Sequence, residues 1–207
     1  MAVLTKKTVQ RLAVLHALSR WRRGAYGPLR LHKTLFFADK ENDPGWRVFA
    51  FKRYYLGQYS DEIADSLNEL RGLNRIRSVY DGPSERLRAE LPIAARTRID
   101  LFFRRYFSDW YSSLGVAFDK WAYLNNDTIL ERAHDDSTYV SSQHGQLIFP
   151  SFDAANVEFS GLTDRMAERL SDFVDVRLHN GIERRLAVAG HRPARGENWR
   201  KIYFDES

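Results

Sequence analysis

The chain has no cysteine among its 207 residues. That removes disulfides, thiolate nucleophiles and cysteine metal ligands from consideration. It also lacks any run of 18 apolar residues, so no membrane-spanning helix is expected. The opening MAVLTKKTVQ has no apolar leader segment, and a cytoplasmic location is the expectation. The common chemical signatures are missing as well. There is no phosphate loop of the GxxxxGK(S/T) kind, no GxGxxG between a strand and a helix, no HExxH and no GxSxG elbow. No two histidines stand close together at helical metal-binding spacing, and no internal repeat occurs.

What is present is charge, unevenly placed. The net charge is +5, but residues 1–60 hold 12 Lys/Arg against 3 Asp/Glu. Residues 61–70 hold four acids and no base, and residues 111–160 hold seven acids and two bases. A basic beginning and an acidic middle suit nucleic acid, an acidic protein, or the acidic half of another copy in a homo-oligomer.

Apolar periodicity supplies the elements. Thr5 is placed to cap a helix to about Arg23, with Val9, Leu12, Leu15 and Leu18 on its apolar side. A second helix is expected over Leu29–Glu41, and an extended run over Trp46–Tyr55, turning at Leu56-Gly57-Gln58-Tyr59. Ser60 is an N-cap, Asp61 and Glu62 suit a helix N-terminus, and Ile63, Leu67 and Leu70 form the apolar stripe. Gly72 is placed as the left-handed stop. Two strands, Arg75–Tyr80 and Glu85–Leu91, read as a hairpin through Asp81-Gly82-Pro83-Ser84.

Pro92 opens one long helix, with Ile99, Phe103, Tyr106 and Trp110 as a buried aromatic stripe. Helices over Val116–Leu124 and Thr128–His134 follow, then irregular chain with one strand at Gln146–Phe149. Leu162, Met166 and Leu170 mark another helix, Ile182–Ala189 a short helical piece, and Trp199–Phe204 an extended end. The fold class read from this pattern is mainly α with a small β-hairpin wing (α+β). Residues 1–140 make a winged-helix-like core and 141–207 a helical extension on or beside it.

Chemistry has few places to live. His134-Asp135-Asp136 has metal-ligand types and would need His144 or Asp153 to complete a site; the plainer reading is a helix terminus and a turn. His144 with Ser141 or Ser142 lacks an orienting acid and an oxyanion hole. His16 and His32 fall among apolar neighbours, as hydrogen-bonded core histidines do. No catalytic residue, metal or cofactor is assigned.

A helix followed by a hairpin invites a DNA reading, which residues 61–71 oppose. Asp61, Glu62, Asp65 and Glu69 would meet the phosphate field at short range, leaving only Ser66, Asn68 and Arg71 suited to bases. Cations lie elsewhere: Arg20, Arg22, Arg23, Arg30, Lys33 and Arg53, and a wing set of Arg75, Arg77, Arg86 and Arg88. Trp21, Tyr26, Tyr54 and Tyr55 stand near them, as either core or stacking residues.

The segments RLHKTLFFADKEN and FKRYYLGQYSDEIADSLNELRGLNRI resemble the Panacea, or SocA-like antitoxin, domain. The resemblance rests on Leu31, Lys33, Leu35 and Phe36, on the turn Leu56, Gly57, Gln58, Tyr59 and Ser60, and on the exit Leu70, Gly72, Leu73 and Ile76. Gln58 stands where the family has proline, and residues beyond about 140 have no counterpart. The resemblance covers about residues 8–135, most closely 30–80. It implies a non-catalytic protein of bacteria or their phages that neutralises a cognate toxin by direct contact. The expected contacts are Arg20, Arg22, Arg23, Arg30, Lys33 and Arg53, with Asp61, Asp65 and Glu69 as a second surface. The alternative is a winged-helix DNA-binding regulator using Arg75, Arg77, Arg86 and Arg88.

Overall fold

The computed structural model describes residues 2–20, 27–82, 84–121 and 123–175. Arg22 and Arg23, Trp21 and Tyr26, and the elements expected after residue 175 lie outside the described residues.

The chain is α+β. Strand β1 (Ala2–Thr5) leads into α1 (Lys6–Arg20), followed by α2 (Pro28–Lys40) and a 3-10 turn (Pro44–Trp46). Strands β2 (Phe51–Tyr54) and β3 (Gly57–Tyr59) precede α3 (Asp61–Gly72), and the hairpin β4 (Ile76–Asp81) and β5 (Ser84–Ala89) comes next. Helices α4 (Ile93–Tyr106), α5 (Ser108–Trp121), α6 (Asn126–His134) and α7 (Ser137–Val140) follow. Strands β6 (Leu147–Phe149) and β7 (Asn156–Phe159) and helix α8 (Asp164–Val174) complete the described chain. The sheets are small and antiparallel: β1 with β7, β3-β2-β6, and β4 with β5. No described helix is long and apolar enough to cross a membrane.

The core forms around α1 and α2. Leu12 to Leu18 of α1 and Leu31 to Asp39 of α2 are buried without interruption, on every side of each helix. Helix α2 packs on α5, α6, β3, β5 and α1. Such a helix has no outer face, so its polar residues must find partners inside the protein.

Helix α3 forms as its capping residues dictate. Ser60 Oγ accepts from the Ile63 amide at 3.3 Å, Asp61 and Glu62 occupy the first turn, and Ile63, Leu67 and Leu70 are buried. Its end corrects the expectation for Gly72, which is the last helical residue. The left-handed residue is Asn74 (φ 54). The Arg75 amide donates to Leu70 O at 2.9 Å and the Asn74 amide to Arg71 O at 2.9 Å, the paired bonds of a Schellman stop. Asparagine fits because its short polar side chain tolerates that region better than other non-glycine residues.

Three further expectations are corrected. The aromatic helix opened by Pro92 is two helices, broken at Phe107 (φ −132, ψ 50). Phe107 is buried against Phe102, Phe103 and Phe159, while Ile99, Phe103 and Trp110 remain buried as the stripe requires. The turn expected at residues 56–59 lies two residues earlier: Tyr54 faces Gly57 across the hairpin, and Gln58 and Tyr59 are in β3. The division expected at residue 140 falls inside one compact unit that runs to Asp175. Residues 141–175 are woven into it, because β6 pairs with β2, β7 with β1, and α8 packs on α1.

Candidate functional site

The described contact residues separate into four groups: a buried polar seam, arginines that tie elements together, an acidic helix face and an arginine-bearing hairpin.

The seam lies between α2 and β3. Lys33, expected at the surface, is 1% exposed, and its Nζ donates to the Gln58 carbonyl at 2.9 Å. The misplacement has a plain cause: Lys33 lies in the stretch of α2 from Leu31 to Asp39 that is buried on every side, so its amine does not reach water. Burial lowers the Lys33 pKa to about 7. Gly57 (φ 93) makes room for the amine, since a Cβ there would overlap Nζ. Gln58 is buried too, and its Nε2 donates to Ala133 O at 2.9 Å, tying the hairpin to α6. Beside Lys33, His32 stacks on Tyr59 at 4.7 Å, and its Nδ1 accepts from the Ser60 amide at 3.3 Å. Burial, with the Lys33 charge adding to it, drops the His32 pKa to about 3. It is therefore a neutral core imidazole.

At the other end of α2, Asp39 is fully buried. Its oxygens accept from the Val48 amide at 2.7 Å and the Phe49 amide at 3.1 Å, holding the chain that leads into β2. Burial pushes its pKa well above the usual carboxylate range, and these amides and the nearby Trp110 indole pull the other way. The Trp110 N–H itself has no partner at hydrogen-bonding geometry. His16, stacked between Phe103 and Tyr111, is likewise held neutral by burial, with Arg20 contributing, and has a pKa of about 3. Asp100 lies 3.9 Å from its Nδ1 but is half exposed and does not restore the charge.

Of the other expected cations, Arg20, Arg30, Arg53 and Arg75 hold elements together. Arg20 donates to Tyr111 O at 3.4 Å and lies over the Tyr111 ring, and Arg30 donates to Asn126 at 3.3 Å. Arg53 donates to the Ser142 carbonyl and covers Tyr139. Arg75 caps the end of α8 through Phe173 O at 3.0 Å and Asp172 O at 3.3 Å.

The face of α3 opposite its apolar stripe exposes Asp61, Asp65, Asn68 and Glu69. Asp61 pairs with Lys52 and Glu69 with Arg11, whereas Asp65 has no ion-pair partner among the described residues. Two roles here escaped the sequence reading. Arg11 also binds Asp175 at 2.6 Å and Val174 O at 3.1 Å, joining α1, α3 and α8. Glu62 accepts from the Ala50 amide at 2.7 Å and Ser151 at 2.9 Å and pairs with Lys6 at 3.4 Å. Their partners are up to 164 residues away in sequence, so no local pattern reveals them.

In the hairpin, Arg77 stands directly opposite Arg88, and Val79 opposite Arg86. Alternation puts these four on one face, away from buried Ile76, Leu87 and Ala89. The hairpin acid Glu85 is turned to the buried side, where it pairs with Arg71 and accepts from Ser78, both at 2.6 Å.

His134 and Asp136 are also occupied. His134 Nε2 lies 3.1 Å from Tyr55 O and its ring stacks on Tyr139. Asp136 caps α7 and pairs with Lys40 at 2.5 Å. Among the described residues no three His, Asp or Glu side chains gather where they could hold a metal. His144 packs on Tyr54 and Tyr55 rather than on Ser141 or Ser142.

No family model matches the chain, and no curated protein matches it.

Proposed function

We propose that the chain is a non-catalytic, antitoxin-like protein that neutralises a cognate toxin by direct contact in the cytoplasm, as its resemblance to the Panacea domain implies. The order α1, α2, β2–β3, α3, β4–β5 supports reading a winged-helix-like core, with β4–β5 taken as the wing. The observation that carries the protein-binding reading is the outward face of α3, where a recognition helix would meet DNA. Asp61, Asp65 and Glu69 stand there in one exposed row at helical spacing. Lys52 and Arg11 pair with Asp61 and Glu69, so Asp65 is the uncompensated carboxylate of a row that disfavours phosphate and suits a partner protein with basic groups. The strongly shifted ionisable groups support the same reading: Lys33, Asp39, His16 and His32 are all enclosed in the core. The test is co-expression with the product of the adjacent gene. A stable complex and rescued growth are expected; no co-purification and no rescue would reject the reading.

The second reading, a DNA-binding regulator, is favoured by the exposed Arg77 and Arg88 pair. It predicts duplex binding that weakens steeply with salt and is lost in Arg77→Glu/Arg88→Glu. Unchanged DNA affinity in that variant would remove wing-mediated binding.

A further inference from the structure

We propose that the outer face of α4 docks an acidic, amphipathic helix of the protein partner. The proposal rests on the protein-binding reading and names the contact surface and its chemistry.

Helix α4 divides into an inner and an outer side. Ala95, Ile99, Phe102 and Phe103 are buried, while Ala94, Thr97, Arg98, Leu101 and Arg104 are exposed. Ile93 at its start is 82% exposed and Leu101 is 56% exposed. An exposed leucine by itself is ordinary. This one stands between Arg98 and Arg104, three residues from each. At about 100° per residue, the two arginines fall on opposite flanks of Leu101, about 60° to either side.

The fold makes no use of those two charges. Helix α4 carries four arginines and no lysine. Arg96 Nε donates to Leu91 O at 3.1 Å, and Arg105 lies over Tyr106 and against Gly161. Arg98 and Arg104 have no ion-pair partner among the described residues. The one acid of α4, Asp100, accepts from the Tyr111 hydroxyl at 3.3 Å and lies 3.9 Å from His16 Nδ1, towards α5 and α1. Ahead of Leu101 on the outer face stand the small residues Ala94 and Thr97, and the Thr97 hydroxyl is satisfied by Ile93 O at 3.1 Å.

Spacing and charge select the occupant. Ala94, Thr97 and Leu101 are three and four residues apart, with a cation on each flank, which is the pattern one helix offers another. Small residues at the contact let the second helix come close. A complementary helix places an apolar residue on Leu101 and carboxylates on both flanks, within reach of Arg98 and Arg104. Arginine in place of lysine suits a protein interface. A second copy meeting this face by two-fold symmetry would set arginines against arginines, with no acid to receive them. A lipid surface would need the large apolar side of α4, and that side is in the core. Nucleic acid is held by rows of cations, and this face offers two with a leucine between them.

The test uses the full chain, the product of the adjacent gene, and a labelled helical peptide of about 20 residues built from Ala, Leu and Glu. Its leucines lie on one line with glutamates on both flanks, and a Gln-for-Glu peptide is the control. The Glu peptide should bind and the Gln peptide should not. Arg98→Glu/Arg104→Glu should weaken binding of the peptide and of the gene product at least about tenfold. Leu101→Gln, which keeps helix propensity, should do the same, and both variants should melt at the native temperature. Lys7→Glu/Lys120→Glu makes the same charge change at two other exposed positions and should leave binding intact. Where the gene product binds, its loss or survival in the α4 variant decides; where it does not, the peptide decides. Unchanged affinity in Arg98→Glu/Arg104→Glu overturns the proposal. So does binding of anionic vesicles or a DNA duplex, in place of the Glu peptide, that this variant abolishes. Peptide binding through α4 without a gene-product complex upholds the surface and rejects the toxin reading. A complex and growth rescue that survive Arg98→Glu/Arg104→Glu reject the surface and leave that reading standing.

Discussion

His16 and His32 make the fold sensitive to acid. Each is neutral in the folded chain with a pKa of about 3, against 6.5 for an ordinary histidine. Between those values the unfolded chain binds more protons, so stability falls as pH drops from about 6.5 towards 3. Each histidine contributes up to about 1.4 kcal/mol per pH unit over that window. His16→Phe keeps the stacking on Phe103 and Tyr111 and has nothing to protonate. Denaturant melts between pH 4 and 7 should show a shallower acid slope for this variant; an identical slope would contradict the neutral-core account. Lys33 works in the same direction at higher pH. Its folded pKa of about 7 lies below the ordinary 10.5, so stability is lowest below pH 7 and recovers as pH rises to 10.5. Lys33→Met should therefore gain stability relative to the native chain at pH 6 and lose that advantage near pH 10. A constant difference across this range would show that the amine is not desolvated. These residues were only partly legible in the sequence. The two histidines sat among apolar neighbours and read as core. Lys33 read as surface because the reading gave α2 a polar side, and a helix covered all round has none.

At the scale of elements, α3 and the β4–β5 hairpin were legible because their signals are local. Ser60, the Ile63, Leu67 and Leu70 stripe, and the turn around Gly82 are each decided within a few residues. Ser60→Ala should cost about 1 kcal/mol, read as a lower denaturation midpoint at constant m value. No change would mean that α3 starts without its cap. The break between α4 and α5 was not legible, because the aromatic spacing from Ile99 to Trp110 continues across it. Phe107 leaves helical geometry to bury its ring beside Phe159, which is 52 residues further along the chain. Strand β1 was hidden for a similar reason. Four residues, three of them apolar, read as the approach to a helix, and only pairing with β7 makes them a strand.

Across the whole molecule, long-range pairings set the extent of the folded unit. Residues 141–175 have little periodicity before α8, which is why they read as an extension. Yet they supply the partners of β1 and β2, and Asp175 receives Arg11. A chain ending at residue 140 should lack a cooperative melt, whereas one ending at 175 should keep it; a native-like melt for the shorter chain would contradict this organisation. The proposed protein-binding function draws on the same scale. Oppositely charged surfaces, the α3 row and the hairpin arginines, stand on neighbouring elements, and the shifted titrating groups are enclosed in the core. That arrangement suits a protein partner with charges of both signs. The most direct measurement is co-purification with the adjacent gene product, alongside growth of cells expressing both. A stoichiometric complex with restored growth is the predicted result; free protein in both preparations and unrelieved toxicity would contradict the account.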